Sequence, residues 1–281
     1  MARAPIFVGG MFKSGTSLLR AMLGQHSAIA SGLETYWFDW DWRARESETM
    51  KAMYGRLAHF FDMSAAEVTG MAMTSETAEK FLTTLMGEVA RRQGKPRWAE
   101  KTPGNIAHAD RIWKAWPEAQ IVHIIRDPRD VFASLVEAKK WDTPDEFAER
   151  WISTIGRGLR LNAELKPSPK AYKAIRYEDL TAAPEKTMRG VIEFIGEPWE
   201  RAAGEFSGRQ EDFDKVLEAT GKASTTLERL KEPLSGERVG IWPQVLSDRQ
   251  LAAIKQAIDT RGYGDIYERV TAESPAAGRA G

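Results

Sequence analysis

The sequence contains no cysteine, no net charge and no long apolar run, and each absence removes a class of protein. Without cysteine there is no disulfide scaffold, thiolate metal site or cysteine nucleophile. The 40 basic and 40 acidic residues cancel, so we expect no broad nucleic-acid-binding surface and no nucleic-acid partner. No segment approaches the roughly 18 apolar residues of a membrane-spanning helix. With 42% hydrophobic and 28% charged residues, the composition is that of an ordinary globular protein.

The ends of the chain and its length predict the domain organisation. Residues 1–5 lead directly into a strand-like segment and leave no room for the apolar core of a signal peptide, so we expect a cytoplasmic protein. We find no internal repeat and no linker rich in Pro, Gly or Ser, which predicts one domain over residues 1–270. The small and polar residues 271–281 are predicted to be a disordered tail.

Apolar segments of strand length alternate with helical patterns along the chain. The segment 6–8 precedes a helical pattern over 14–24, and residues 36–95 are helical in pattern without a strand. This alternation predicts an α/β fold with three α/β/α layers and a central parallel sheet. The further predicted strands are 97–100, 120–125 and 170–177, and the further predicted helices are 128–139, 147–165, 184–195 and 247–260, the last taken as the final helix.

A glycine-rich turn follows the first predicted strand and opens the first helix. Such a turn points backbone N–H groups and the positive helix end at one place, which suits a phosphate. Gly10 and Gly15 have the spacing of a Walker A loop, but Thr16 stands where that loop requires lysine, and the nearby lysine is Lys13. Asp127 follows a strand as a Walker B aspartate would, yet it lies between an arginine and a proline. The turn therefore predicts a P-loop-like phosphate site with no metal; taken alone, it also fits a turn that binds nothing.

The loop resembles a motif of sulfotransferases that use 3′-phosphoadenosine 5′-phosphosulfate (PAPS). Residues 12–18 are similar to the family's 5′-phosphosulfate loop, P-[KR]-[ST]-G-T-[ST], with Phe12 in place of the usual proline. The resemblance implies PAPS as sulfuryl donor, adenosine 3′,5′-bisphosphate as product and no required metal. It also implies that the donor's 5′ end is bound by Lys13, Ser14, Gly15, Thr16 and Ser17.

A second segment, residues 126–131 followed by Ser134, resembles the family's 3′-phosphate motif, R-[DN]-P-x-[DE] with a serine eight residues after the arginine. Arg126 ends a predicted strand, where open α/β sheets bind ligands, and its guanidinium fork suits a phosphate dianion. The resemblance implies that Arg126 and Ser134 bind the 3′-phosphate. Two further matches imply donor contacts: Tyr177 in Y-E-D-L, for which simple packing is the alternative, and Arg238 in a late loop where Val239 replaces a lysine.

Sulfuryl transfer needs a base for the acceptor proton and cations beside the departing phosphate oxygen. Lys13 is the first cation. Lys101 lies in a segment that resembles the K-[TD]-P motif of tyrosylprotein and carbohydrate sulfotransferases, which implies a second cation; a solvated loop lysine is the alternative. Glu34 resembles the catalytic glutamate of the tyrosylprotein branch, which implies the base; a helix-capping role is the alternative. His108 is expected to pack or to lie at the surface.

The acceptor is the open part of this interpretation. A glycan, a peptide tyrosine and a small metabolite all supply a hydroxyl; the aromatic residues 37–40 after Glu34 favour a carbohydrate. Residues 41–95 and 140–169 match no family motif and are predicted to build the acceptor side, the first as a helical insertion that is either a mobile lid or a fixed wall. A P-loop kinase or hydrolase and a non-catalytic nucleotide-binding protein remain the alternative functions.

Overall fold

Five parallel strands form the central sheet of the computed structural model, which describes residues 3–165, 171–206, 208, 214–218, 228 and 231–274. The strand order is β2-β3-β1-β4-β5, and every pairing in it is parallel. The strands are β1 (Ile6–Gly10), β2 (Ile29–Ser31), β3 (Arg97–Lys101), β4 (Gln120–Ile125) and β5 (Tyr172–Arg176).

Helices connect the five strands and continue after the last one. Between the strands lie α1 (Thr16–Gly24), α2 (Glu48–Phe60), α3 (Ala65–Thr74), α4 (Ala78–Arg92), α5 (Ala109–Ala115), α6 (Pro128–Glu137), α7 (Pro144–Trp151) and α8 (Arg157–Leu165). After β5 come α9 (Tyr177–Ala182), α10 (Pro184–Ile195), α11 (Trp242–Val245), α12 (Asp248–Asp259) and α13 (Gly264–Ala272). Short 3₁₀ turns cover Trp37–Asp39, Trp42–Ala44, Pro103–His108 and Arg201–Gly204.

Both faces of the sheet are buried, as the apolar strands require. Phe7 of β1 faces the side covered by α2 to α5, where Trp37 and Phe81 are also fully buried. Its neighbours Ile6 and Val8 point to the opposite side and pack with α1, α9 and α10. A third apolar cluster joins α6, α7, α12 and α13 beside the sheet. The alternation of side chains along β1 thus attaches the helices to both faces and gives three layers.

The predicted parallel α/β fold is confirmed, and the predicted helical segment between β2 and β3 contains α2, α3 and α4. The elements at two places differ from the prediction. The sequence pattern missed β2, which has only three residues, and the predicted helix over 147–165 begins earlier, at Pro144, and contains a π-helical turn at Ile152–Gly156.

The C-terminal segment also differs from the prediction. The helix predicted to be the last is followed by α13, which reaches Ala272. Its buried Tyr267 and Val270 anchor it in the third cluster, so the first residues of the predicted tail are helical. Residues 275–281 of that tail lie outside the described residues. Among the residues that are described, none of the helices has the length and apolar character needed to cross a bilayer.

Because all the strands run in the same direction, their carboxyl ends meet at one edge of the sheet. The glycine loop follows β1 there, Glu34 follows β2, Lys101 ends β3, Arg126 follows β4 and Tyr177 follows β5. The fold thus gathers at one edge residues as distant in sequence as Lys13 and Tyr177.

Candidate active site

The loop between β1 and α1 makes a tight turn that directs the start of α1 towards a cavity. Gly15 is the residue before the helix and has φ 92°, while Lys13 has φ 69°. A side chain on Gly15 would place its Cβ 2.5 Å from the Tyr177 ring. Glycine is therefore required at this position both for backbone conformation and for the close approach of α9.

The start of α1 is suited to an anion. Its first turn contains no acidic residue, and Thr16 and Ser17 are buried there. Ser14 is fully buried, and its side-chain hydroxyl has no hydrogen-bond partner among the described residues. Since buried polar atoms are almost always paired, this hydroxyl, beside the unpaired N–H groups of a helix start, is typical of a site built for a bound oxyanion.

Glu34 and Lys101 form an ion pair beside this loop. Lys101 is the last residue of β3, and its ammonium donates a hydrogen bond to the Ser17 hydroxyl at 3.1 Å and another to the Glu34 carboxylate. The Lys101 side chain is 3% exposed and that of Glu34 is 21% exposed. Both side chains line the cavity, and Glu34 is the more exposed member of the pair.

The protonation states of the pair follow from burial and mutual attraction. Burial would raise the pKa of Glu34, but the charge and hydrogen bond of Lys101, with a hydrogen bond from Tyr36, outweigh it and lower the pKa below its usual value. Burial lowers the pKa of Lys101, against the opposing attraction of Glu34. At neutral pH Glu34 is thus a carboxylate, ready to accept a proton.

A buried carboxylate, Glu100, fixes the segment that carries Glu34. It accepts hydrogen bonds from the Thr35 hydroxyl at 2.8 Å, the Thr35 backbone N–H at 3.3 Å and the Thr102 hydroxyl at 2.7 Å. The Asn105 side-chain amide donates to the same carboxylate at 2.6 Å. Sequence reasoning gave Glu100 no role, although it stands directly before Lys101. It ties the loop after β2 to the end of β3, and so sets the separation of the ion pair.

Two arginines, Arg126 and Arg238, form a cluster beside the loop and line the same cavity. Arg126 donates to the Lys13 carbonyl oxygen at 2.8 Å and to the Ser134 hydroxyl at 3.5 Å, and its guanidinium lies 4.6 Å from the Tyr177 ring centre. Arg238 donates to the same Ser134 hydroxyl at 3.3 Å and forms an ion pair with Glu137. The buried Nε atoms of both arginines have no hydrogen-bond partner among the described residues. The cluster therefore holds unused donors for an anion.

The two aspartates of the second motif support this arginine cluster. Asp127 caps α6 by accepting from the Arg129 N–H at 2.8 Å, and it pairs with the Arg129 side chain. Asp130 accepts from the Gly240 N–H at 2.7 Å and the Trp242 N–H at 3.0 Å, so it positions the loop that carries Arg238. Within the described ranges no group of three or more His, Asp or Glu residues is arranged to hold a metal.

A cavity of about 670 Å³ joins the loop, the ion pair and the arginines. The predicted site residues Ser14 and Ser134 are buried and are not among its lining residues. Among the lining residues that no motif singled out are Arg56, Phe60 and Lys140, which lie in the stretches predicted to build the acceptor side. The predicted site residues that line it are Lys13, Gly15, Thr16, Ser17, Glu34, Lys101, Arg126, Tyr177 and Arg238. Tyr177 is both a packing residue, against Gly15, and a lining residue.

A second cavity of about 600 Å³ shares Phe12 and Tyr36 with the first. His108 lines it and stacks on Phe38, with ring centres 4.3 Å apart. Burial, with the nearby Arg111, lowers the pKa of His108 below its usual value. The ring is neutral and packed and does not line the first cavity, as sequence reasoning expected. Trp141 adds a further aromatic wall.

Comparisons with known proteins agree with this geometry. The model of a family described as the sulfotransferase family matches residues 5–201. A protein-tyrosine sulfotransferase of Drosophila melanogaster is 24% identical over 92% of this chain and 51% of its own length; the chain spans about half the length of the first curated relatives it matches.

Two solved structures share the fold. The sulfotransferase domain from the curacin biosynthetic pathway has a TM-score of 0.68 at 17% identity, covering 93% of this chain and 98% of that one. Mouse sulfotransferase SULT7A1 complexed with PAP has a TM-score of 0.52 at 14% identity, covering 96% and 89%.

Proposed function

This chain belongs to the sulfotransferase family, and we propose that it transfers the sulfuryl group of PAPS to an acceptor hydroxyl. The observation that carries the proposal is a single cavity lined by a phosphate-type loop, by the ion-paired Glu34 and Lys101 and by the Arg126 cluster. A donor with a phosphosulfate at one end and a separate phosphate at the other matches these two anion sites.

The donor's orientation follows from the polar and charged groups of the loop and of the arginine cluster. The start of α1, the Ser14 hydroxyl and Lys13 would hold the 5′-phosphosulfate, because they offer donors and positive charge where the chain turns. Arg126 and Arg238 would hold the 3′-phosphate through the donors that they leave unpaired. Mouse sulfotransferase SULT7A1, which shares this fold, forms a complex with PAP, and this supports the same class of nucleotide here.

The chemistry assigned to the ion pair is general base catalysis with charge stabilisation. Glu34 would accept the proton of the acceptor hydroxyl as the acceptor oxygen bonds to sulfur. The bond from sulfur to the donor's phosphate oxygen breaks, and the negative charge that develops there is stabilised by Lys101 and Lys13. The Lys101 ammonium already contacts both Glu34 and Ser17 of the loop, so it lies between the two reacting partners.

Two classes of acceptor are supported by different observations. The aromatic walls of the second cavity, Phe12, Phe38 and Trp141, favour a sugar, because pyranose rings pack well on aromatic faces. The curated relatives are named protein-tyrosine sulfotransferases, which favours a phenolic hydroxyl on a peptide. We keep the carbohydrate as the first hypothesis and the peptide tyrosine as the second.

Binding and transfer measurements separate this function from its alternatives. We expect calorimetry to detect binding of adenosine 3′,5′-bisphosphate in EDTA, and radiolabelled PAPS to label one class in a panel of glycans, phenols and tyrosine peptides. Binding of ATP that requires Mg²⁺, with none of the bisphosphate, would indicate a kinase or hydrolase instead. Bisphosphate binding without transfer to any acceptor class would indicate a non-catalytic nucleotide-binding protein.

A further inference from the structure

Tyr36 occupies an unusual place between the two cavities. It lines both of them, and its backbone has φ 52° and ψ 37°, a left-handed conformation that costs a non-glycine residue free energy. Its N–H donates to the Thr102 hydroxyl at 3.1 Å, and the preceding Thr35 is bonded to Glu100. The conformation is therefore imposed by neighbouring anchors and directs the side chain back towards Glu34.

The Tyr36 hydroxyl donates a hydrogen bond to one oxygen of Glu34, while Lys101 donates to the other. Burial and the adjacent Glu34 carboxylate raise the pKa of Tyr36 far above its usual value, so the phenol stays protonated and remains a donor. An acceptor hydroxyl that gives its proton to Glu34 must approach the same carboxylate. Lys101 is buried and bonded to Ser17, so the oxygen facing Tyr36 is the one that an acceptor can reach.

We propose that Tyr36 is a specificity-determining residue whose hydroxyl stands in the place of the acceptor hydroxyl and must be displaced when the acceptor binds. This inference rests on the proposed function. Because Tyr36 also forms the wall shared by the two cavities, its displacement opens a path from the aromatic second cavity to Glu34. The acceptor ring would then lie among Phe38, Trp141 and Phe12, with its hydroxyl directed at the base.

The same contact protects the donor. In the absence of acceptor, the Tyr36 phenol fills the position from which a water molecule could pass its proton to Glu34 and attack the sulfuryl group. An acceptor that displaces Tyr36 supplies its own hydroxyl there. Tyr36 would thus favour transfer over hydrolysis of PAPS, with sulfate and the bisphosphate as the products of the unwanted reaction with water.

The test is the substitution Tyr36→Phe, which removes the hydroxyl and keeps the ring. We expect the KM for the acceptor to fall about tenfold and the rate of PAPS hydrolysis without acceptor to rise about tenfold. A tenfold change corresponds to the lower end of the free energy of a hydrogen bond to a charged group. The acidic limb of the pH–rate profile should shift upward, because that hydrogen bond helps to lower the pKa of Glu34. Affinity for the bisphosphate should not change, since the phenol does not contact the arginine cluster.

Tyr172→Phe is the matched control. Its hydroxyl is also half-buried and hydrogen-bonded, to His123 at 2.6 Å, but it lines neither cavity. It should leave KM, hydrolysis and the pH profile unchanged. If Tyr36→Phe folds poorly, Tyr36→Trp, which keeps an aromatic wall without the hydroxyl, should show the same rise in hydrolysis.

Two results would count against the proposal and are distinguishable. In the first, the wild type transfers sulfuryl normally and the Tyr36→Phe variant binds bisphosphate normally, but the variant shows no change in KM, hydrolysis or pH profile. This result would overturn the role of Tyr36 alone. Bisphosphate binding by the wild type without any transfer would overturn the proposed function, and this inference with it.

Discussion

Replacing Glu34 by glutamine tests the centre of the proposed mechanism. The amide has nearly the same size but cannot accept the acceptor proton, and loss of a general base costs about 10²–10⁴ in rate. Lys101 also loses its carboxylate partner while its side chain remains 3% exposed, which disfavours its charged form. We therefore expect kcat to fall by about 10²–10⁴. Affinity for the bisphosphate should hold or increase, because a negative charge leaves the donor cavity.

The assay is transfer from radiolabelled PAPS to the preferred acceptor, with bisphosphate affinity measured by calorimetry on the same preparation. Glu232→Gln is the matched control, because Glu232 lines the same cavity and its substitution makes the same change of charge away from the ion pair. The control should keep wild-type turnover. Turnover by Glu34→Gln equal to that of the control would refute the assignment of Glu34 as base.

Three further predictions concern the donor site and the pH dependence. Arg126→Ala should weaken bisphosphate binding about 10–100-fold, because that is the contribution of hydrogen bonds to a charged group. The control Arg129→Ala, which removes an ion pair with Asp127, should change the bisphosphate affinity little; calorimetry measures both. Gly15→Ala should destabilise the fold by about 1–3 kcal/mol in urea unfolding, because its φ is 92° and its Cβ would meet α9 2.5 Å away; wild-type stability would contradict this. The turnover of the wild type should be constant at neutral pH, and on the acidic side it should fall only as the pH drops through the lowered pKa of Glu34, below the ordinary value of 4.5. Loss of activity already near pH 6 would contradict that assignment.

The donor half of the site could be predicted from sequence because each part lies in one short segment. The loop over residues 12–18 and the segment from Arg126 to Ser134 each follow a strand end and contain a turn and a helix start, so the spacing of the residues already fixes their relative positions. The parallel sheet then brings the two segments together, since β1 and β4 are direct neighbours. Local sequence patterns therefore predict both the positions of residues within each segment and the sheet that brings the two segments together.

The proposed acceptor half could not be predicted in the same way. Its walls come from residues such as Phe60, Trp141 and Arg157, which lie on separate helices and in a loop and have no common spacing. The three-residue strand β2, which leads to Glu34, is too short for a period-two pattern to show. What brings Glu34 to Lys101 is a tertiary network, and a network of this kind leaves no periodic signal in the sequence.

That network also explains why a carboxylate with a lowered pKa is placed beside the loop. Glu100 is a second buried carboxylate next to Lys101 in sequence, but burial raises the pKa of Glu100, against the hydrogen bonds that it accepts from Thr35, Thr102 and Asn105. Its oxygens are used by neutral donors of the protein itself, so it serves as an anchor. Glu34 instead faces the cavity, and one of its oxygens accepts from the Lys101 ammonium and the other from the Tyr36 hydroxyl. The two carboxylates differ because all the donors to Glu100 are neutral groups of the protein, whereas Glu34 is paired with a cation and faces a cavity.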